Sequence, residues 1–402
     1  MKDENIESPF KTFIGALLVG GTALGAGMLA LPVATAGSGL VPAWLIYFIC
    51  WVFSLATGLL FVEVGLWMPQ NANIVSMAFH LLGKWGRAFA WILYIFLFYC
   101  LTIAYVSGGG GLVASLLGPA IPLWVSTILF TGFFSAFVYY GTKIVGRLNV
   151  VLMVGLIVSY ILFIAMGSSR INFSLLEGWG WKSAILGLPI IFTSFSYQGI
   201  IPSLLTYLNR NAKKMRVALI AGTSIPFLSY IIWDLIIKGI VPAQGPHGLI
   251  ETKQHGLSAI TPLQYFLQEG SYIYTVGNFF AFFALTTSFI GVTLGLLDFL
   301  SDSLQIEKTP KKKLGLCAMI YIPSIIISLI NPAIFLSALG FAGGFGCVFL
   351  LGLLPVLMVW VGRYHRGYPS LCQQLPGGKL VLSLLIAFIA FEVIVEALQV
   401  LF

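Results

Sequence analysis

The sequence predicts an all-α polytopic membrane protein of eleven transmembrane helices, arranged as two inverted five-helix units plus one extra C-terminal helix. Three observations predict it. Hydrophobic residues make up 59% of the 402 residues and charged residues only 8%, against roughly a quarter charged in soluble domains; mean hydropathy is +1.00. The apolar residues gather in runs of about 20, the length that crosses a bilayer as a helix. Two of these runs, the first and the sixth, are broken by glycine, proline and hydroxyl residues. No stretch is polar enough for a second, soluble domain, so residues 1–402 read as one integral membrane unit.

The first span, 12–36, contains Gly20-Gly21-Thr22-Ala23-Leu24-Gly25-Ala26-Gly27-Met28-Leu29-Ala30-Leu31-Pro32. Backbone groups left unpaired in hydrocarbon cost several kcal/mol each, so an unwound stretch survives only where it lines a cavity or meets a ligand. The charged N-terminus before it, Met1–Ser8, lacks a signal-peptide layout. Spans 41–66, 88–116, 122–141 and 148–167 are continuous apolar runs, with Lys84 and Arg87 before the second of these and Lys143 and Arg147 before the last. The sixth span, 183–205, carries the second break, Ile191-Phe192-Thr193-Ser194-Phe195-Ser196-Tyr197-Gln198-Gly199-Ile200-Ile201-Pro202-Ser203. Spans 216–239 and 272–299 flank the longest polar connection, 241–270, which reads as a solvated loop. Spans 314–330 and 333–361 meet at a tight Asn331-Pro332 turn, and 380–401 closes the chain. The five cysteines are scattered, without metal-like spacing, and read as free thiols.

With the N-terminus cytoplasmic, seventeen of the 21 Lys and Arg residues fall on the cytoplasmic side and four, Arg170, Lys182, Lys238 and Lys253, on the other. The positive-inside rule therefore predicts N-in and C-out. The net charge of +8 is read as this topology signal and as contact with anionic lipid headgroups, not as a nucleic-acid surface.

Counting from each break gives five spans, 12–167, and five more, 183–361, with 380–401 left over. Five is odd, so the two units sit in opposite orientations. Interrupted helices in matching positions of inverted halves point to a transporter's binding site. The competing reading is close helix packing through small residues.

The residues also resemble a known family. Gly21-Thr22, Gly25-Ala26-Gly27-Met28-Leu29-Ala30-Leu31-Pro32, Pro189-Ile190-Ile191-Phe192-Thr193-Ser194-Phe195, Tyr99-Cys100-Leu101-Thr102-Ile103-Ala104-Tyr105-Val106-Ser107-Gly108 and Thr287-Ser288-Phe289-Ile290-Gly291-Val292 are similar to blocks of the bacterial hydroxy and aromatic amino acid permeases. The similarity covers nearly the whole chain and is nearest the tyrosine-specific branch. It implies the leucine-transporter fold and proton-driven uptake of aromatic amino acids (tyrosine, with tryptophan or phenylalanine also in range) across a bacterial inner membrane. It implies no cofactor. The family position that carries a histidine, just before the sixth-span glycine, here holds Gln198, so that position supplies no titratable group.

On this reading the first break offers backbone N–H groups and a helix N-terminus to the substrate carboxylate, through Gly20, Thr22, Ala23, Gly25, Ala26 and Gly27. Carbonyls of the second break, through Thr193, Ser194, Phe195, Ser196, Tyr197 and Gln198, accept from the ammonium. Tyr99, Thr102 and Tyr105 are spaced at three on one helix and are candidates for the side-chain pocket; packing between helices is the alternative. Thr286, Thr287 and Ser288 form a hydroxyl cluster. In the wider superfold such hydroxyls, with first-span carbonyls, hold a sodium ion; back-bonding to their own helix is the other reading. No lysine lies in the fifth span, and the coupling ion, H+ or Na+, stays open.

Glu63 and Asp298 have two readings, a surface pair with loop cations or a part in an inner gate. Asp234 is a further acidic residue inside a span, and Glu392, on the extra helix, reads as a peripheral contact. His247, His255 and Glu251 lie in the 241–270 loop at spacings poor for a metal. An amine or small neutral amino acid carrier on the same fold, an ion channel and a non-transporting receptor remain as rivals. An enzyme is disfavoured, because no nucleophile–base pair, metal motif or phosphate loop occurs.

Overall fold

The computed structural model describes residues 7–70, 72–118, 120–267, 272–369 and 372–401. Met1–Ile6, read above with the charged N-terminus, lie outside the described residues. Among those described there is no strand, as expected where no water is present to satisfy backbone groups that a helix satisfies internally.

The first span is split into α1 (Glu7–Ala23) and α2 (Gly27–Ala34), bent by 56° at a three-residue break. Span 2 is α3 (Leu40–Trp67). Span 3 belongs to α4 (Ile74–Leu117), which is interrupted at Gly83, where φ is +74°; a side chain there would be strained, and glycine is free to turn. Spans 4 and 5 are α5 (Leu123–Tyr140) and α6 (Thr142–Gly167). Span 6 runs through α7 (Trp181–Leu186), α8 (Leu188–Ser194), a short 3₁₀ turn at Gln198–Ile200 and α9 (Ile201–Tyr207). Span 7 is α10 (Ala212–Ile240). Among the described residues ten helices are long and apolar enough to cross a membrane, or eleven if the bent α1–α2 pair is one span.

The 241–270 connection departs from a solvated loop. It folds into α11 (Leu249–Gln254) and α12 (Leu263–Phe266), and it buries Leu249, Ala259, Ile260 and Leu263. The Ala259 N–H donates to Leu29 O (2.9 Å) and Lys253 Nζ donates to Ala34 O (2.9 Å), so this segment sits on the end of α2. Burial pushes the Lys253 ammonium below its ordinary range, since desolvation disfavours charge. Glu251 accepts from the His247 amide and lies 3.9 Å from His255 Nε2, all three exposed or half-exposed.

Spans 8 and 9 are α13 (Tyr272–Ser303) and α14 (Pro310–Ile330). Span 10 begins as α15 (Ile334–Phe341), opens into a π-helical stretch (Ala342–Leu353) and ends as α16 (Leu354–Tyr364). Its π segment is glycine-rich, and such looser winding is found mainly where a helix serves a site. The last span is α17 (Gly378–Leu401).

Candidate functional site

The two breaks meet in the middle of the bundle. A side chain on Gly27 would run into Ser194, with Oγ 2.6 Å and Cα 3.0 Å from its first carbon. Gly25 is equally tight against the Ser288 hydroxyl. The unwound parts are shorter than the sequence suggests. Gly20–Ala23 remain helical at the end of α1, and only Leu24–Ala26 separate α1 from α2. Thr193 and Ser194 likewise end α8, leaving Phe195–Tyr197 between helices. Helical hydrogen bonding continues to the edge of each break because every backbone group released inside a bilayer must find another partner.

Several of those partners are side chains. Ser288 Oγ accepts from the Ala26 amide at 3.0 Å, which leaves the N–H groups of Gly25 and Gly27 without a hydrogen-bond acceptor among the described residues. Tyr230 of α10 donates to Ala23 O (2.6 Å) and Ser194 O (2.7 Å), the last helical carbonyls of α1 and α8. One hydroxyl proton thus serves both breaks, and each carbonyl keeps acceptor capacity. Ser54 donates to Phe195 O at 2.7 Å. Gln198 is fully buried; its Nε2 reaches Ser54 Oγ and Thr57 Oγ1 at 3.1 Å, and its Oε1 accepts from the Tyr197 amide. Gln198 and Tyr197 therefore face α3, and the second break is stitched to span 2.

The remaining sequence candidates separate. Thr22, Thr193, Ser194, Thr102 and Thr287 bond back to carbonyls of their own helices, and Thr193 also reaches Leu339 O on span 10 (2.9 Å). Ser196 donates to Thr193 O at 2.6 Å. Thr286 is buried and its hydroxyl has no partner. Phe195 packs edge-on against Tyr230, ring centroids 5.0 Å apart. Tyr105 lies beside Ser288. Tyr99 turns instead to span 9, donating to Met319 O at 2.8 Å, so the structure does not bring its hydroxyl to the breaks. On a 3.6-residue helix Tyr99 and Tyr105 diverge by about 120°, which separates two members of an apparent stripe.

Exposure differs on the two sides of the breaks. Every residue from Met28 to Ala34 is buried. Toward α1, Gly21, Leu24, Gly27 and Ser196 are half-buried and Thr22 and Gly199 exposed. On the α2 side, a cavity of about 560 Å³ lies between the loop 255–264 and spans 3, 4, 8 and 10. Its floor includes Gly108, against which Leu285 and Phe335 pack closely.

The intramembrane charges are arranged as follows. Glu63 is fully buried and grips Arg363 with two bonds, Nε–Oε1 2.6 Å and Nη2–Oε2 2.7 Å; it also accepts from the Gln374 amide. Such bidentate, charge-assisted pairs are strong and directional. Asp298 pairs with Lys308 at 2.7 Å, both exposed. Asp234 and Lys238 form a buried pair at 3.1 Å inside α10. Tyr47 donates to Asp234, and Lys238 donates to Thr35 Oγ1 (2.9 Å), which joins spans 1, 2 and 7. Lys238 is therefore a core residue and not a loop cation. The peripheral place expected for Glu392 is also corrected: it is fully buried, with Glu396 one turn on.

Sequence reading missed Tyr230, Ser54, Thr57 and Glu396. Only Glu396 left a signal, its spacing of four from Glu392 on an apolar helix.

The comparisons accord with this arrangement. The tryptophan/tyrosine permease family model matches residues 9–396. Tyrosine-specific transport system 1 of Haemophilus influenzae is 32% identical over 392 residues, covering 95% of this chain and 97% of that protein. Glutamine transporter 2 of Aliivibrio fischeri is 30% identical over 396 residues, covering 94% and 97%. The crystal structure of MhsT in complex with L-phenylalanine superposes with a TM-score of 0.62 at 15% identity, over 96% of this chain and 97% of that one, which shows the leucine-transporter fold. With two broken helices in contact at its centre and a family match over nearly its full length, the chain belongs to the tryptophan/tyrosine permease family of transporters.

Proposed function

We propose that the chain imports aromatic amino acids, tyrosine with tryptophan or phenylalanine in range, by proton symport and alternating access. The observation that carries this reading is the contact of the two breaks at Gly27 and Ser194. Beside it, the Gly25 and Gly27 amides stand at the positive end of α2, suited to a carboxylate. The Ala23 and Ser194 carbonyls, sharing one Tyr230 proton, keep lone pairs for an ammonium. Tyr105 and Phe195 offer aromatic walls nearby. The names of the family and of the Haemophilus relative support the substrate class, and the bacterial relatives support a bacterial inner membrane.

The basic excess supports a cytoplasmic N-terminus and an outer C-terminus. In that orientation α11 seals the outer end of α2, and the half-exposed faces of the breaks look inward. Two other readings have observations behind them. The unpartnered Thr286 hydroxyl and Ser288 beside the first break favour sodium as the coupling ion. The Aliivibrio relative's name favours glutamine as substrate.

Reconstitution in liposomes tests all three. Labelled tyrosine, tryptophan and glutamine are offered under a proton or a sodium gradient, each imposed alone. Accumulation of tyrosine or tryptophan under the proton gradient is the expected result. Accumulation of glutamine alone would move the substrate class, and no accumulation under either gradient would remove the symport reading.

A further inference from the structure

We propose that Glu392 and Glu396 form the transporter's proton-binding site, an acidic pair on the eleventh span that takes up and releases the co-transported proton. The proposal deepens the symport reading and rests on it. Along α17 the buried residues are Leu382, Leu385, Ile389, Glu392, Val395 and Glu396, spaced at three and four apart from the neighbouring last two. That spacing defines the stripe a helix turns toward its neighbours. Two positions of the stripe, on either side of Val395, are carboxylic acids facing the protein interior, where leucine or isoleucine would serve a plain packing helix.

The Glu392 carboxyl is enclosed, and the Glu396 side chain is largely buried beside it. Glu392 is 0% exposed and neither of its oxygens has a hydrogen-bond partner; Glu396 is 4% exposed. Among the described residues neither lies in an ion pair. The titratable groups that face them from the packed elements are thiols. Cys50 of α3 and Cys347 of the π stretch stand near Glu392, and Cys100 of α4 stands near Glu396. Arg363 of α16 is committed to Glu63, Lys182 of α7 is exposed at the surface, and α8 carries no titratable residue. Two carboxylates one turn apart, with no ion-pair partner among the described residues, repel each other when both are ionised. The pair therefore holds a proton in this conformation. Releasing it requires water or another proton acceptor to reach the pair, which a different arrangement of the helices can provide.

The pair also touches what moves. Glu396 lies on the glycine face of span 10: a side chain on Gly344 would strike its methylenes, and one on Gly340 would stand 3.3 Å from Oε1. The adjoining face of the same segment, at Gly343, is pressed against Pro189 O and Thr193 of α8. Thr193 hydrogen-bonds Leu339 O at 2.9 Å, and the next residue, Ser194, meets the first break. The π winding of this segment gives it a second available packing, α-helical. A proton on the pair suits the dry glycine face; a bare carboxylate would push span 10 away and loosen α8, and with it the substrate site.

The test uses the full chain in proteoliposomes, with labelled tyrosine. One proton per substrate under a one-unit pH gradient drives about tenfold accumulation. Glu392→Gln and Glu396→Gln, isosteric and neutral, are expected to lose that accumulation. They should keep tyrosine counterflow at equal pH, which needs no net proton movement, and their tyrosine affinity should no longer vary with pH. Glu392→Asp, which keeps a titratable group one methylene shorter, should accumulate tyrosine with a shifted pH profile. Undiminished accumulation by both glutamine variants, or an unshifted profile in the aspartate variant, would show that the pair is only structural. Failure of the unaltered protein to accumulate tyrosine under a proton gradient, or accumulation under sodium alone, would overturn the symport reading itself and the proton assignment with it. The wild-type arm separates the two failures.

Discussion

Gly25 and Gly27 have no room for a side chain, because Ser288 and Ser194 occupy the space beside them. Gly25→Leu and Gly27→Leu are expected to weaken tyrosine binding by roughly five- to 150-fold, the equivalent of about 1–3 kcal/mol of overpacking, while inserting normally in the membrane. Equilibrium binding to the purified variants, beside their yield in membranes, checks this. Tyr230 is the second residue to examine. Tyr230→Phe removes the proton shared by Ala23 O and Ser194 O, at a cost of about 1–3 kcal/mol for buried acceptors left unpaired. A lower melting temperature of the detergent-solubilised protein is expected, with weaker tyrosine binding. Neither Tyr230 nor Ser54 was legible in the sequence. A tyrosine in an aromatic-rich span and a serine in an apolar one look the same whether they bond a break or their own helix. The glycines were legible, since a break in hydrocarbon needs a reason.

At the scale of elements, the segment 372–375 is strapped to the ends of three spans. Glu63 of α3 binds both Arg363 of α16 and the Gln374 amide, Arg363 also reaches Leu375 O (3.0 Å), and Arg216 of α10 reaches Gln374 O (3.3 Å). Breaking a buried ion pair by removing one partner leaves an uncompensated charge worth about 3–5 kcal/mol. Glu63→Gln is therefore expected to free the strap. Cys372 lies within it, half-buried, while the other four cysteines lie inside spans. A faster reaction of Cys372 with a maleimide in the Glu63→Gln variant is the expected result, and an unchanged rate would argue against the strap. The existence of the spans was legible, some to within a residue or so, as at 40–67 against 41–66, because hydropathy is a local property of the chain; other bounds were not, as where α4 begins at Ile74 and the reading began at 88. The π stretch of span 10 and the docking of α11 on α2 were not. Both depend on what lies across the interface: the α8 backbone in one case, and the free carbonyl end of α2 in the other.

For the whole molecule, we propose that eleven spans put the termini on opposite sides, with the basic loops and N-terminus inward. A cysteine introduced for Leu401 should react with an impermeant reagent in intact cells, and Cys372 only after the membrane is opened. The reverse pattern would invert the topology. Sequence alone determined which segments are apolar enough to cross a membrane and the two places where a helix had to break; it did not show that the 241–270 connection is partly buried. Tertiary structure determined which residues face one another. Ala26 finds Ser288 262 positions away, and Glu63 finds Arg363 300 positions away. Burial in lipid follows from composition over some twenty residues. Each such contact follows from the rotation and depth of two helices at once, and no local window of sequence carries that information.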